Sequence, residues 1–349
     1  MPERHDSLQE KCEKTTLSEP SLRVFFDTLD LQWIENRIRA KYSANRHRPP
    51  LPFLPLVRAH LFKDLRQLKS YRKLAKVLSE NNGFWARLLG FNRAPHHDSF
   101  SAFRLRLGSA LFVEVFVEIR RRLLELRPDF AELIVIDSTN IPAYARPGRC
   151  GRESSDPDAK WGIAIDTKTG KRRNFFGHKL HAAIAAEAGV PVAFTVTSGN
   201  RADSPQYPRL LKMLADANIP IRVVIGDKGY DSRNNYFSTL KHGAIPIIAF
   251  NRRRRPKGTT GRRLDRNMPI LRDSAEWDRY YKLRGAVERQ FSELKEQLGL
   301  KNLTLRGLER VTIHLAVSLI VLLAINLVAH LTGNPELLRS IEPWRYGVV

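Results

Sequence analysis

The chain has 349 residues, with 59 Lys and Arg against 36 Asp and Glu, a net charge of +23. That length admits two or three domains with a well-buried core. The charge makes a polyanion the leading partner, nucleic acid ahead of anionic membrane, because the bases run through folded-looking segments as well as clusters. Cys12 and Cys150 form neither a metal-ligand spacing nor a disulfide framework, which fits a reducing cytoplasm.

Residues 1–20 form a polar tail without the apolar run of an export signal. From 21 to 127 apolar residues recur at three-to-four spacing. The expected helices are 21–41, 55–68, 70–79, 82–90, 98–108 and 110–127, divided by the Pro-rich turn 48–55, Asn81-Asn82-Gly83, and a turn at 94–99 where Asp98 or Ser99 would cap. This is read as an all-helical, basic, DNA-binding domain. Residues 71–91 have the outline of a helix-turn-helix, although two helices and a Gly turn also occur in any helical bundle.

Near 130 the period changes. The run ELIVIDST (132–139) is a buried strand ending in Asp137, Ser138 and Thr139. Strands follow at 160–166, 177–187 and 190–198, joined by short turns that predict antiparallel pairing. Asp203-Ser204-Pro205 opens a helix to about 217. A strand at 221–225 ends in Gly226-Asp227-Lys228-Gly229-Tyr230, and a helix (232–242) and a strand (244–250) complete an α/β order. The basic loop 251–279 holds Arg252, Arg253, Arg254 and Arg255, read as a phosphate-binding segment or a solvated run.

Residues 280–298, YYKLRGAVERQFSELKEQL, read as one helix with three faces. Leu283, Val287, Phe291, Leu294 and Leu298 line the core side, while Arg289, Glu293 and Glu296 face solvent. Tyr281, Arg284, Glu288 and Lys295 fall within roughly 60 degrees of one another. That stripe is either a solvated flank held by charge pairs or a face supplying one carboxylate to a metal and bases to a phosphate backbone. Two further acids favour the second reading. Asp137 and Asp227 each follow an apolar strand, where open α/β sheets place ligand sites, although each alone is also explained by a turn. Three such carboxylates can hold two divalent cations for phosphodiester displacement.

The spacing Tyr281-x2-Arg284-x3-Glu288-x6-Lys295 resembles the signature of a large group of insertion-sequence DDE transposases. The runs IVIDST, GHKLH, TVTSGNRADS and GDKGYDS resemble the same family in the same order, over about 130–330. The resemblance implies an RNase H-like catalytic domain (128–335), a mixed sheet flanked by helices, after the helical domain (21–127) and before a tail (336–349). It implies Asp137, Asp227 and Glu288 as catalytic metal ligands for two Mg²⁺, with Mn²⁺ as substitute. Tyr281, Arg284 and Lys295 would position the phosphates of element ends. The partners implied are double-stranded DNA, both terminal inverted repeats and target, and a second copy of the chain. The implied location is the cytoplasm, on the nucleoid. Some members carry a long β-rich insertion between the second and third acids, where this chain has only the basic loop.

In GHKLH, Lys179 and His181 share a strand face and could approach DNA, whereas His178 and His181 face opposite ways and are not a metal pair. Asp203 resembles a family position, but a helix N-cap explains it. Other readings are an RNase H-like nuclease that does not join strands, a domesticated DNA-binding regulator, and a protein anchored by the apolar stretch Leu315–Ala329. That stretch is at the lower margin of a bilayer span and is read instead as a core helix, with no membrane partner.

Overall fold

The computed structural model describes residues 21–41, 51–149, 152–165, 170–251, 268–272 and 274–346. Two compact units result, and they do not follow linear segments. The first is Met1–Leu123 with Glu296–Gly299 and Thr312–Val349; the second is Leu124–Lys295 with Leu300–Val311.

The first unit is helical: α1 (Ser21–Leu29), α2 (Ile34–Arg39), α3 (Phe53–Leu65), α4 (Tyr71–Ser79), α5 (Phe84–Leu89) and α6 (His97–Leu126). Asn81, Asn82 and Gly83 turn α4 into α5 with left-handed φ values of 50°, 52° and 74°, a conformation that Asn and Gly adopt at least cost. Gly108, at φ 71°, breaks α6 where two helices were expected to meet. α3 is buried almost all round, so its Asp64 must be partnered. Lys63 Nζ donates to it at 3.1 Å, Ser318 Oγ donates at 2.9 Å, and His314 Nδ1 lies 3.6 Å away. Ser318 and His314 belong to α11 (Leu308–Leu331), a helix long and apolar enough to cross a membrane but 89% buried over its most apolar window. Its inward polar groups serve this interior, and it is a core helix.

The second unit holds a six-stranded sheet of β1 (Leu133–Pro142), β2 (Lys160–Ile165), β3 (Arg172–Ala185), β4 (Val190–Ser198), β5 (Val223–Gly226) and β6 (Ile245–Ile248). β3 pairs antiparallel with β1, β2 and β4, whereas β1 with β5 and β5 with β6 are parallel. Helices α7 (Tyr207–Asp216), α8 (Arg233–Lys241), α9 (Ala275–Lys282) and α10 (Gly285–Glu296) flank it. This mixed sheet flanked by helices, with four antiparallel strands (β1 to β4) continued by β5 and β6 parallel to β1, is RNase H-like, as expected.

Three local expectations need correction. β1 does not end at Thr139 but continues to Pro142, because β3 supplies antiparallel partners through Gly177. The helix expected from 203 begins as a 3-10 turn, Ser204–Gln206, before α7. The striped helix is two helices. Leu283 and Arg284 form a turn between α9 and α10, where Ala286 and Val287 bond back only three residues, to Leu283 and Arg284. Gly285, a poor helix former, opens the second helix. The core stripe survives the break: Val287, Phe291, Leu294 and Leu298 are buried.

Candidate active site

The parallel pairing of β1 with β5 stops at Ile136 and Gly226, so Asp137 and Asp227 are the next residue on each strand. β1 runs on with β3 as its only partner while β5 turns away. This is where a sheet opens a crevice at its strand ends. Asp227 is extended at φ -76°, ψ 176°, and accepts from Gly229 N at 2.7 Å. A Cβ at Gly229 would sit 2.9 Å from Asp227 Oδ1, so a larger residue there would push the carboxylate. Asp137 Oδ1 accepts from Ser138 N at 2.7 Å, and its side chain is 21% exposed. The turn bonds that could have explained each acid away are therefore present, yet each leaves its second oxygen unused by them.

Arg284 joins the third acid to this pair. Its Nη1 lies 3.8 Å from Asp137 Oδ2, and its Nη2 donates to Glu288 Oε1 at 2.5 Å. Four residues along α10's entry bring Arg284 and Glu288 together, while the turn at Leu283–Arg284 frees the guanidinium to reach β1. Sequence assigned Arg284 to phosphates; the structure lodges it between two acids.

Electrostatics mark the same place. Burial pushes the Asp137 carboxyl up from an ordinary 3.8 to about 7, and the Asp227 charge adds to this against Ser138 and Arg284. Asp227 is raised as well, chiefly by burial, against its bond from Gly229 and the charge of Arg284. Acids crowded in this way are disfavoured as anions unless cations join them, a mark of functional sites. Tyr281 stacks on Trp277 at 4.7 Å, and its phenol is raised by burial and by the Asp227, Asp137 and Glu288 charges, against Arg284. It borders all three acids.

Two residues of the cluster escaped the sequence reading. Asp203 makes no side-chain cap on the Ser204–Gln206 turn, contrary to the N-cap expected. It pairs instead with Lys179 Nζ at 3.0 Å and His181 Nδ1 at 3.7 Å, and its charge reaches Asp137 and Asp227. Tyr230 is buried, and its hydroxyl is raised well above its ordinary range by burial and by Asp137, Asp203 and Asp227. Its place three residues after Asp227 was the available signal. Lys179 is 7% exposed and His181 0%, so direct DNA contact does not suit either as folded. Burial lowers the His181 imidazole to about 4 despite Asp203, keeping it neutral. His178 faces away from this cluster and meets Asp156 Oδ2 at 3.1 Å. Lys295 is half-buried near the end of α10. Arg252, Arg253, Arg254 and Arg255 lie outside the described residues.

A family model described as a transposase DDE domain matches residues 128–327, more than half the chain. The chain belongs to the DDE transposase family. A second model, also described as a transposase domain, matches residues 7–106. The chain is thus an insertion-sequence DNA transposase, a DNA-cleaving enzyme. No curated protein matches it in sequence. Solved structures with some likeness include a piggyBac transposase synaptic complex with hairpin DNA, at 12% identity over 93% of this chain and 80% of that one, TM-score 0.41. Others are a Mos1 transposase paired-end complex with left transposon end, at 11% identity over 76% and 87%, TM-score 0.22, and a Mos1 mariner paired-end complex with Mn, at 12% over 75% and 85%, TM-score 0.22. Superpositions this loose carry no weight in the assignment, which rests on the family models.

Proposed function

We propose that Asp137, Asp227 and Glu288 are the catalytic acids of this transposase, and that the enzyme hydrolyses the phosphodiester at element ends and joins the freed 3′-hydroxyl to target DNA. The observation that carries this reading is the Arg284 guanidinium held between Asp137 and Glu288 while Asp227 adjoins Asp137 across β1 and β5. The spacing of Tyr281, Arg284, Glu288 and Lys295 supports assigning the chain to the insertion-sequence group that carries that signature.

The donor set fits divalent cations. It offers carboxylate oxygens alone, the ligands hard cations take, and the Asp137 and Asp227 carboxyls, both made weaker acids chiefly by burial, are those of a site short of positive charge. Arg284 stands in for part of that charge. Two Mg²⁺, or Mn²⁺, held by Asp137, Asp227 and Glu288, would supply Lewis-acid activation of the attacking oxygen and stabilisation of the leaving one. The chain's own contribution is positional and electrostatic. The β1 and β5 ends hold two carboxylates rigidly, and α10 brings the third. Arg284 can shift from the acids to a phosphate oxygen as DNA arrives, keeping the charge balance. Tyr281, already stacked on Trp277, lines the approach, and Lys295 contributes a further base to the phosphate backbone.

Asp203, Lys179 and Tyr230 act from beneath as positioning groups that fix β1, β3 and the Asp227 turn. The substrates are the terminal inverted repeats and target DNA, brought together by two copies of the chain, in the cytoplasm on the nucleoid. The test is cleavage of an oligonucleotide bearing the element's own terminal repeats. Asp137→Ala, Asp227→Ala and Glu288→Gln should abolish Mg²⁺-dependent cleavage and keep end binding. Retained cleavage by any of them would remove that residue from the acid triad, and cleavage without strand-transfer products would reduce the enzyme to a nuclease.

A further inference from the structure

A second concave surface lies in the same unit, away from the acids. Between the end of β1 and the start of β2 the chain encloses a cavity of about 390 Å³, within the range of ligand sites. Pro147, Gly148, Glu153, Ser154, Lys160, Trp161 and Phe176 are among the residues that line it. Trp161 is 56% exposed, and its ring meets Phe176 edge-on at 5.7 Å. An indole left that open on a strand, beside a cavity, is not filling a core.

The walls are built rather than incidental. Asp156 is fully buried beneath them, accepting from Asp158 N at 3.2 Å and Ala159 N at 3.1 Å and meeting the His178 ring at 3.1 Å. Arg149 and Arg152 exchange backbone bonds of 3.1 and 3.0 Å. Gly148 is required at their crossing, since a Cβ there would lie 2.5 Å from the Arg152 carbonyl oxygen. Asp158 Oδ2 accepts from Leu308 N at 2.8 Å, tying the loop to the chain before α11. The concavity therefore exists before any partner arrives.

Its surroundings are basic and aromatic. Lys160 lines it, Arg146, Arg149 and Arg152 are exposed next in sequence to its lining residues Pro147, Gly148 and Glu153, and Arg306 is exposed as well. Arg306 lies over the exposed Tyr144 ring at 5.2 Å and donates to the Tyr144 carbonyl at 3.0 Å. Cations interleaved with open aromatic rings are the composition of surfaces that hold unpaired nucleic acid, where phosphates meet the bases of the protein and nucleobases stack on its rings. A paired base has both faces covered and offers Trp161 nothing.

We propose that this cavity receives an unpaired nucleotide of the DNA strand, its base against Trp161 and its flanking phosphates among Arg146, Arg149, Arg152 and Lys160. Glu153 and Ser154, which line the cavity, supply acceptors for an exocyclic amine, so adenine, cytosine or guanine is favoured over thymine. The inference rests on the chain acting on DNA and adds which form of the strand this face holds.

The experiment uses the full chain in EDTA, so that nothing is cut, and fluorescence anisotropy with a labelled 20-nucleotide strand and with its duplex. Trp161→Ala should weaken binding of the single strand by roughly tenfold and change duplex binding less than twofold. Trp161→Phe should restore most of the loss. Ile163→Ala, which removes another exposed apolar residue of β2, should leave both unchanged. Equal loss on both DNA forms, no loss on either, or the same effect from Ile163→Ala would overturn the proposal. If the wild-type chain bound neither form, the DNA-acting reading itself would fall, a result distinct from normal duplex binding with an inert Trp161.

Discussion

Asp137→Asn should make the metal-free enzyme more stable, and the gain should depend on pH. The carboxyl has an ordinary value of 3.8 and is pushed up to about 7 by burial and then by Asp227. A group whose folded value lies above its unfolded one favours folding fully below the lower value, and that contribution is lost as pH rises through the higher one. At pH 8 the folded protein therefore holds an unfavourable anion, worth at most about 4 kcal/mol at about 1.4 kcal/mol per pH unit. Because the side chain is 21% exposed and Arg284 adjoins it, roughly 2–3 kcal/mol is the expected effect. Asparagine keeps an oxygen for Ser138 N and removes the charge. For a unit of this size that corresponds to a rise of about 4–12 °C in Tm. Differential scanning fluorimetry in EDTA should show that rise at pH 8 and a much smaller one at pH 5. Adding Mg²⁺ should close the gap from the other side by stabilising the wild type and not the variant. A variant less stable than wild type at pH 8 in EDTA, or a gap that does not change with pH, would refute the argument that this site lacks positive charge.

The helical unit should be acid-labile for the opposite reason. His60 and His314 are held down to about 4 by burial, so both stay neutral when folded. Their stabilisation is full above the unfolded value near 6.5 and is lost as pH falls toward 4, up to about 3 kcal/mol each. Asp64 acts in the same direction, because the Lys63 charge and the hydrogen bonds from Ser318 and Lys63 hold its carboxyl low against burial. Hydrogen exchange in α3 between pH 7 and 4 should report this, and His60→Phe, placed among Phe100, Phe103 and Phe112, should flatten it. Asp203→Asn leaves the buried Lys179 ammonium without its carboxylate and should cost about 1–3 kcal/mol, less than for a fully buried pair because the Asp203 side chain is 36% exposed. In urea unfolding, adding Lys179→Met should recover part of that loss if the two act as a pair. Lys295→Ala should weaken end binding and lower its salt slope by about one ion; an unchanged slope in anisotropy titrations would take Lys295 off the phosphate-contact surface.

Much of the α/β order was legible because strand and helix leave different apolar periods. ELIVIDST could only be a buried strand, and the Asn-Asn-Gly turn announced itself by chemistry that few other residues tolerate. The three proposed acids were picked out by spacing and place. The break at Leu283–Arg284 was not, since a single Gly within a periodic run reads as a tolerated imperfection and becomes a turn only when the packing of α9 and α10 requires it. Asp203 looked like a cap for the same reason: its local sequence, Asp-Ser-Pro, satisfies a capping rule, and its partners Lys179 and His181 come from another strand.

The sequence alone determined the elements, the basic charge and the order of three acids along the chain, because periodicity, capping chemistry and composition are local properties. Only the tertiary structure decided that parallel pairing stops at Asp137 and Asp227, that one guanidinium meets Asp137 and Glu288, and that Lys179 and His181 are buried rather than offered to DNA. Those facts depend on strand register, on where one strand ends beside another and on which side chains lose solvent. Such quantities arise only between segments distant in sequence.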